Sequence, residues 1–122
     1  MSVEELRAST LRKIDAEAEA VRSRYVTPGS GQALVYQAKQ QEAEAMLNGL
    51  ATEPPHIMAE AAARGLQPID LARQIVAASS KWLRVSPRIE AIRTAAKGAV
   101  KTARTAAEIR AAGEVDWQSV ED

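Results

Sequence analysis

The chain has no cysteine, no phenylalanine and a single histidine among 122 residues. The missing cysteines exclude disulfides, thiolate metal centres and a cysteine nucleophile. The lone histidine excludes the paired-histidine zinc motifs. Aromatic residues make up only 3%, so neither a thick aromatic core nor a base-stacking platform is available. No run of about 18 apolar residues occurs, which excludes membrane insertion by a helix. The N-terminus, Met1-Ser2-Val3-Glu4-Glu5, is acidic and has no apolar signal core. The expectation is a protein made in the cytoplasm. Glycine (6) and proline (5) are few and clustered, and no stretch alternates apolar and polar residues as a half-buried strand does. An all-α fold in one domain, 1–122, follows.

What is present is a hydrophobic fraction of 46%, much of it alanine. A buried Leu or Ile contributes about 1.5–3 kcal/mol and an alanine far less. Such a core is thin and suits close helix packing, and the expectation is a marginally stable monomer or stability borrowed from oligomerisation. The formal net charge is zero, yet the charge is unevenly placed. Residues 1–67 hold 7 Lys/Arg and 9 Asp/Glu, residues 68–112 hold 9 and 3, and the last ten residues hold four acids and no base. A basic long segment therefore lies between an acidic front and an acidic tail, 113–122.

That long segment carries the clearest pattern. Leu71, Ile75, Ala78, Trp82, Val85, Ile89, Ile92, Ala96, Ala99 and Ala103 recur in alternating steps of four and three. This is one apolar seam on a helix over 68–103, roughly 50 Å long at 1.5 Å per residue. Pro87 removes one backbone hydrogen bond and bends the helix near 87. A break with Ser86 as cap is the alternative. Ahead of it, Ser2 and Glu5 form a capping box for a helix over 3–25, whose seam is Leu11, Ile14, Ala18, Val21 and Tyr25. Thr27-Pro28-Gly29-Ser30-Gly31 ends that helix. A second, over 32–51, places Leu34, Val35, Ala38, Ala43, Met46, Leu47 and Leu50 on its apolar side. The short link makes the two a helical hairpin. Pro54-Pro55 and Gly65 bracket a third helix, 55–64. Thr105 and Glu108 box the start of a fifth, 106–112, closed by Gly113. Trp117, in the acidic tail, docks back on the helices. The architecture is thus a helical hairpin plus a long helix, forming a small bundle of three to five helices.

Few residues carry chemistry. His56 and Glu60 lie four apart and share a helix face, but two ligands without a third do not make a metal centre. Gly29-Ser30-Gly31 precedes a helix but lacks the Gly-Lys-Ser/Thr ending and the strand of a phosphate loop. The basic residues of the long helix fall in two groups: Arg73, Lys81, Arg84 and Arg88 on one flank, Arg93, Lys97, Lys101 and Arg104 on another. Two flanks without interleaved aromatics make a poor nucleic-acid surface. They suit pairing with Glu17, Glu19, Glu42 and Glu44 of the first hairpin. No nucleophile, oxyanion device or general acid is in evidence. The reading assigns no catalytic residue, no cofactor and no metal, and describes a protein that is not an enzyme.

At the first turn the chain reads Tyr25-Val26-Thr27-Pro28-Gly29-Ser30-Gly31-Gln32-Ala33, then Tyr36-Gln37-Ala38-Lys39 and Glu42-Ala43. Trp82, Ile89-Glu90-Ala91-Ile92-Arg93 and Ala95-Ala96-Lys97 follow. In these features the chain resembles small helical proteins of tailed bacteriophages and prophages, encoded in the tail or tail-fibre gene region. In those, a helix ends in a Thr-Pro-Gly-x-Gly-Gln-Ala turn and a Tyr-Gln-x-Lys helix follows. Pro87 departs from their uninterrupted long helix. The resemblance implies a protein made in the host cytoplasm and carried in the virion. It would pack against tail, fibre or baseplate subunits, or against itself. The interaction residues expected on this reading are Leu71, Ile75, Trp82, Ile89 and Ile92 of the seam, with Thr27 and Gln32 at a projecting turn. Two alternatives stay open: a tail assembly chaperone absent from the mature particle, and a small nucleic-acid-associated or regulatory protein using the basic helix.

Overall fold

A computed structural model describes residues 1–121, with Ser30 described by its backbone alone. Asp122, the last acid of the expected tail, lies outside the described residues. The fold is all-α. Five helices, α1 (Val3–Arg22), α2 (Ser30–Leu47), α3 (Pro55–Arg64), α4 (Pro68–Thr102) and α5 (Ala106–Ala112), are followed by a 3-10 turn over Trp117–Glu121. No strand occurs among the described residues. None of these helices is long and apolar enough to cross a membrane.

The helix ends follow local chemistry. Ser2 Oγ accepts the Glu5 amide at 3.1 Å and Glu5 accepts the Ser2 amide in return, closing the capping box of α1. Thr105 accepts the Glu108 amide in the same way, but the Glu108 carboxylate takes the amide of Arg104 instead, at 2.8 Å. α2 ends at Leu47, four residues short of the expected Ala51. Gly49 adopts φ +72° there, and the Leu50 amide reaches back to the Ala45 carbonyl at 2.8 Å, the Schellman closure that stops a helix. α1 stops at Arg22, where the amides of Arg24 and Tyr25 tighten to three-residue bonds. α4 runs unbroken through Pro87, so Ser86 caps nothing.

The chain forms two compact units, Met1–Tyr25 with Arg84–Asp122, and Val26–Leu83. α1 and α2 belong to different units. α4 belongs to both, passing from one to the other after Leu83.

In the terminal unit, Ile14 of α1, Val100 of α4 and Ile109 of α5 pack as one fully buried cluster. Val21, Val85, Ile89 and Val120 are also buried. Trp117 packs against the cluster, as expected of it, and its indole N–H donates to Glu17 at 2.8 Å. Arg7 spans from α1 to the end of α4 and donates to the carbonyls of Val100 (2.7 Å) and Ala103 (2.8 Å). These are carbonyls that a helix C-terminus leaves without partners, and a cation suits them.

In the central unit, Ala43, Ile57, Ala61, Leu71, Ala72 and Ile75 form the core, with Met46, Leu66 and Val76 around it. α3 begins with two prolines and has no capping side chain of its own. Glu42 of α2 supplies one from outside. Its carboxylate accepts the amides of His56 (2.7 Å) and Ile57 (3.2 Å) and meets the His56 ring. A negative charge therefore sits at the positive end of α3.

The seam of α4 departs from the expected alternation at two places. Ala78 and Ala99 are exposed, and Ser79 and Val100 are buried instead. A strict seven-residue repeat holds one face only when helices supercoil. A plain α-helix has 3.6 residues per turn and drifts about 20° per heptad. α4 behaves as the plain helix at these two places, where the buried position falls one residue later than the repeat, while Val85 and Ile89 stay on it.

Candidate interaction surface

The surface begins where α2 begins. Gly29, at φ +110°, ends the turn in a conformation that side-chain-bearing residues avoid, and it offers no side chain to cap the helix. Every residue from Gly31 to Val35 is exposed, with Leu34 at 69%. The cause lies further along α2. Its core contacts are made by Ala43 and Met46, near its C-terminal end. The amphipathic pattern of the first turns is correspondingly weak: Leu34 and Val35 are neighbours in sequence and point about 100° apart.

Beside these turns lies a cleft of about 310 Å³. Val26 and Thr27 from the turn, Ala33, Tyr36, Gln37 and Gln40 from α2, and Trp82 and Leu83 from α4 line it. A second depression of about 230 Å³ follows, walled by Lys39, Glu60, Leu71 and Ile75 among others, and Tyr36 lines both. The Tyr36 hydroxyl is sealed from solvent and has no hydrogen-bond partner among the described residues. A buried hydroxyl left so is destabilising by about 1–3 kcal/mol. Leu83 itself is 63% exposed. The wall is therefore apolar and aromatic, with two glutamine amides.

On the α2 side of the cleft charge is sparse, while exposed Lys81 stands beside Trp82 on the α4 side. From Gly31 to Gln41 the only ionised side chain is Lys39, and it pairs with Glu60 at 2.6 Å. Arg64 reaches the other Glu60 oxygen at 3.0 Å. The hydrogen bond from Lys39, aided by Arg64 and opposed by burial, holds the Glu60 carboxyl below the usual carboxylate range.

The strong charge lies in the terminal unit. Arg93 and Lys97 of α4 both meet Asp15 of α1 at 2.8 Å. The Lys97 hydrogen bond, with Arg93 behind it, lowers the Asp15 carboxyl against a smaller effect of burial, and Asp15 in turn raises Arg93. The expected acid partners are thus replaced. Asp15 takes Arg93 and Lys97, Glu17 receives Lys13 and the Trp117 indole, Glu19 receives Arg22, and Glu42 caps α3. Arg73 pairs with Asp70 one turn away, and Arg88 donates to the Val120 carbonyl.

The seven residues expected to meet a partner are separated by the fold. Leu71 and Ile75 are interior to the central unit, and Ile89 is interior to the terminal unit. Their burial is already complete within the chain. Ile92 is half-buried in the terminal unit. Trp82 is half-buried and walls the cleft, so it is not the closed core residue its seam position suggests. Thr27 and Gln32 are exposed, and both line a small recess of about 60 Å³ next to Val35 and Tyr36. Apolar spacing puts Leu34 on the apolar side of α2 and leaves Leu83 off the α4 seam, yet both are exposed beside the cleft. The available signal was the run of neutral residues after Gly31, which a solvated helix would break with charge. His56 is engaged by Glu42, and no group of three or more His, Cys, Asp or Glu side chains that could hold a metal occurs among the described residues. Comparison with protein-family models, with curated proteins and with solved structures finds no match to this chain.

Proposed function

We propose that the chain is a non-enzymatic protein of a phage or prophage tail module, acting by packing its helices against other subunits of the tail, fibre or baseplate. One observation carries the packing part: exposed Leu34 and Leu83 flank an apolar cleft beside the Thr27–Gln32 turn, where the first turns of α2 carry no charge. Interface centres have this composition, apolar and aromatic with few charges. The tail assignment is supported by the resemblance of Thr27 to Lys39 to the turn-and-helix pattern of such proteins. The working residues on this reading are Leu34, Trp82 and Leu83 with Thr27 and Gln32, because Leu71, Ile75 and Ile89 are enclosed. The basic face of α4 weighs against a nucleic-acid role, since Arg93 and Lys97 already meet Asp15.

Mass spectrometry of purified particles from the encoding phage tests the proposal. The chain is expected at a fixed ratio to the tail subunits. Its presence in infected cells but absence from particles would replace the structural role by that of an assembly chaperone. Absence from both tail intermediates and particles would remove the tail assignment.

A further inference from the structure

We propose that α4 carries a hinge at residues 80–87, a stretch that opens locally while the cores on either side of it stay folded. The inference concerns α4 alone and does not depend on the tail assignment.

Packing gives the first argument. The enclosed residues of α4 in the central unit end at Ser79, and those in the terminal unit begin at Val85. No side chain between them is enclosed. Ser80, Lys81, Leu83 and Arg84 are exposed, and Trp82, the position that continues the buried face, is half-buried at the cleft. Most of the stability of a helix in a folded protein comes from the face it buries. Over this stretch α4 has little of that support.

The backbone is weakened at the same place. Pro87 has no amide, so the Leu83 carbonyl loses its partner in the helical ladder. Leu83 is the last residue of the central unit, so the missing bond stands where α4 passes from one unit to the other. Local preference points the same way. Ser79, Ser80, Trp82, Val85, Ser86 and Pro87 are all poorer helix formers than the Ala, Leu and Arg residues that fill much of the rest of α4.

Opening is easiest where little apolar surface is uncovered and few bonds are broken. Both conditions meet here, so α4 gives at this stretch and each core keeps its own packing. The chain crosses between the units a second time after Tyr25. No helix holds it there, because α1 ends at Arg22 and α2 begins at Ser30. Exposed Thr27, Pro28 and Gly29, the last at φ +110°, follow that crossing.

Hydrogen exchange of the intact chain, in water and at low urea, tests the hinge. In the α-helical pattern the amides of Arg84, Val85 and Ser86 bond to the carbonyls of Ser80, Lys81 and Trp82. They are expected to exchange at least about tenfold faster than those of Ile75 and Ala96, with rates that scarcely rise with urea, as a local opening requires. Trypsin should cut α4 first after Lys81 or Arg84, ahead of Arg73, Arg93 and Lys97. Pro87→Ala lies at an exposed position and restores an amide for Leu83. It is expected to slow exchange in the stretch at least about fivefold relative to Ile75 and Ala96. Exchange that is uniform along α4, or that rises with urea as steeply in the stretch as in the cores, overturns the inference. So does a Pro87→Ala variant with the exchange profile of wild type.

Discussion

Thr10 Cγ2 stands 2.6 Å from where a Cβ on Gly113 would lie. Gly113 has φ −81°, which any residue adopts, so its smallness and not its flexibility matters. Lys13 reaches the Gly113 carbonyl at 2.8 Å and holds the strand of contacts closed. Thr10 has little freedom to turn away, since its hydroxyl donates to the Leu6 carbonyl at 2.7 Å. Gly113→Ala is therefore expected to destabilise by about 1–3 kcal/mol through overpacking. Thr10→Ser removes the offending methyl and keeps the hydroxyl. The double variant should recover most of the loss, and a thermodynamic cycle of the four proteins by urea denaturation checks it.

Arg7 offers a second test. Its Nη1 donates to the Val100 and Ala103 carbonyls, with Lys101 at 3.3 Å, while Nε and Nη2 face the Glu4 carboxylate. Arg7→Ala should cost about 1.5–3 kcal/mol, the range for hydrogen bonds to a charged group. Arg7→Lys keeps the charge near the negative end of α4 but cannot hold Glu4 and the α4 carbonyls with separate nitrogens, so it should fall between the two. Amide hydrogen exchange in the last turn of α4 should rise in the same order.

How far the sequence could be read is visible in these two cases. The helices, their breaks and the docking of Trp117 were legible, because caps, prolines and apolar spacing act within a few residues. Ser2–Glu5 and Gly65 are local signals of that kind. The link from Arg7 to Val100 spans 93 positions, and that from Glu42 to His56 crosses between helices. No spacing rule announces such caps, which depend on where one helix end meets the flank of another. The interaction surface was missed for a related reason. Apolar periodicity says that a face is greasy, and it does not say whether the chain itself covers it. Leu34 and Ile75 look alike in that respect, and only the fold separates them.

Acid should weaken the protein through Asp15 and Glu60. Both carboxyls are held below their usual range in the folded state, by Lys97 with Arg93 and by Lys39 with Arg64. A carboxyl lowered on folding stabilises the native state above the unfolded-state value, and that stabilisation is lost as pH falls through the folded one. The thermal midpoint is therefore expected to hold steady near neutrality and to drop below about pH 4. In Asp15→Asn with Glu60→Gln the neutral-pH midpoint should be lower and the acid drop smaller. An equally steep drop in that variant would show that other carboxylates govern it. Because both pairs are partly solvated, added salt should narrow the difference.

Trp82 and Ile89 occupy successive turns of α4, and the seam alone gives them the same standing. Ile89 is fully enclosed. Ile89→Ala leaves a cavity in a packed interior and should cost about 2–5 kcal/mol. Trp82 is half-buried and lines an open cleft, so part of its ring faces solvent and not packed side chains. Trp82→Ala enlarges an existing recess and should cost less than Ile89→Ala, despite removing many more atoms. Urea denaturation of both variants measures the two losses. There the order of the two losses decides the matter: a Trp82 loss at or above that of Ile89 would make the indole a core residue and the cleft an incidental gap. A second variant, Trp117→Phe, leaves Trp82 as the only indole. Its emission should be that of a partly hydrated ring, and it should be quenched by added iodide more readily than that of an enclosed indole.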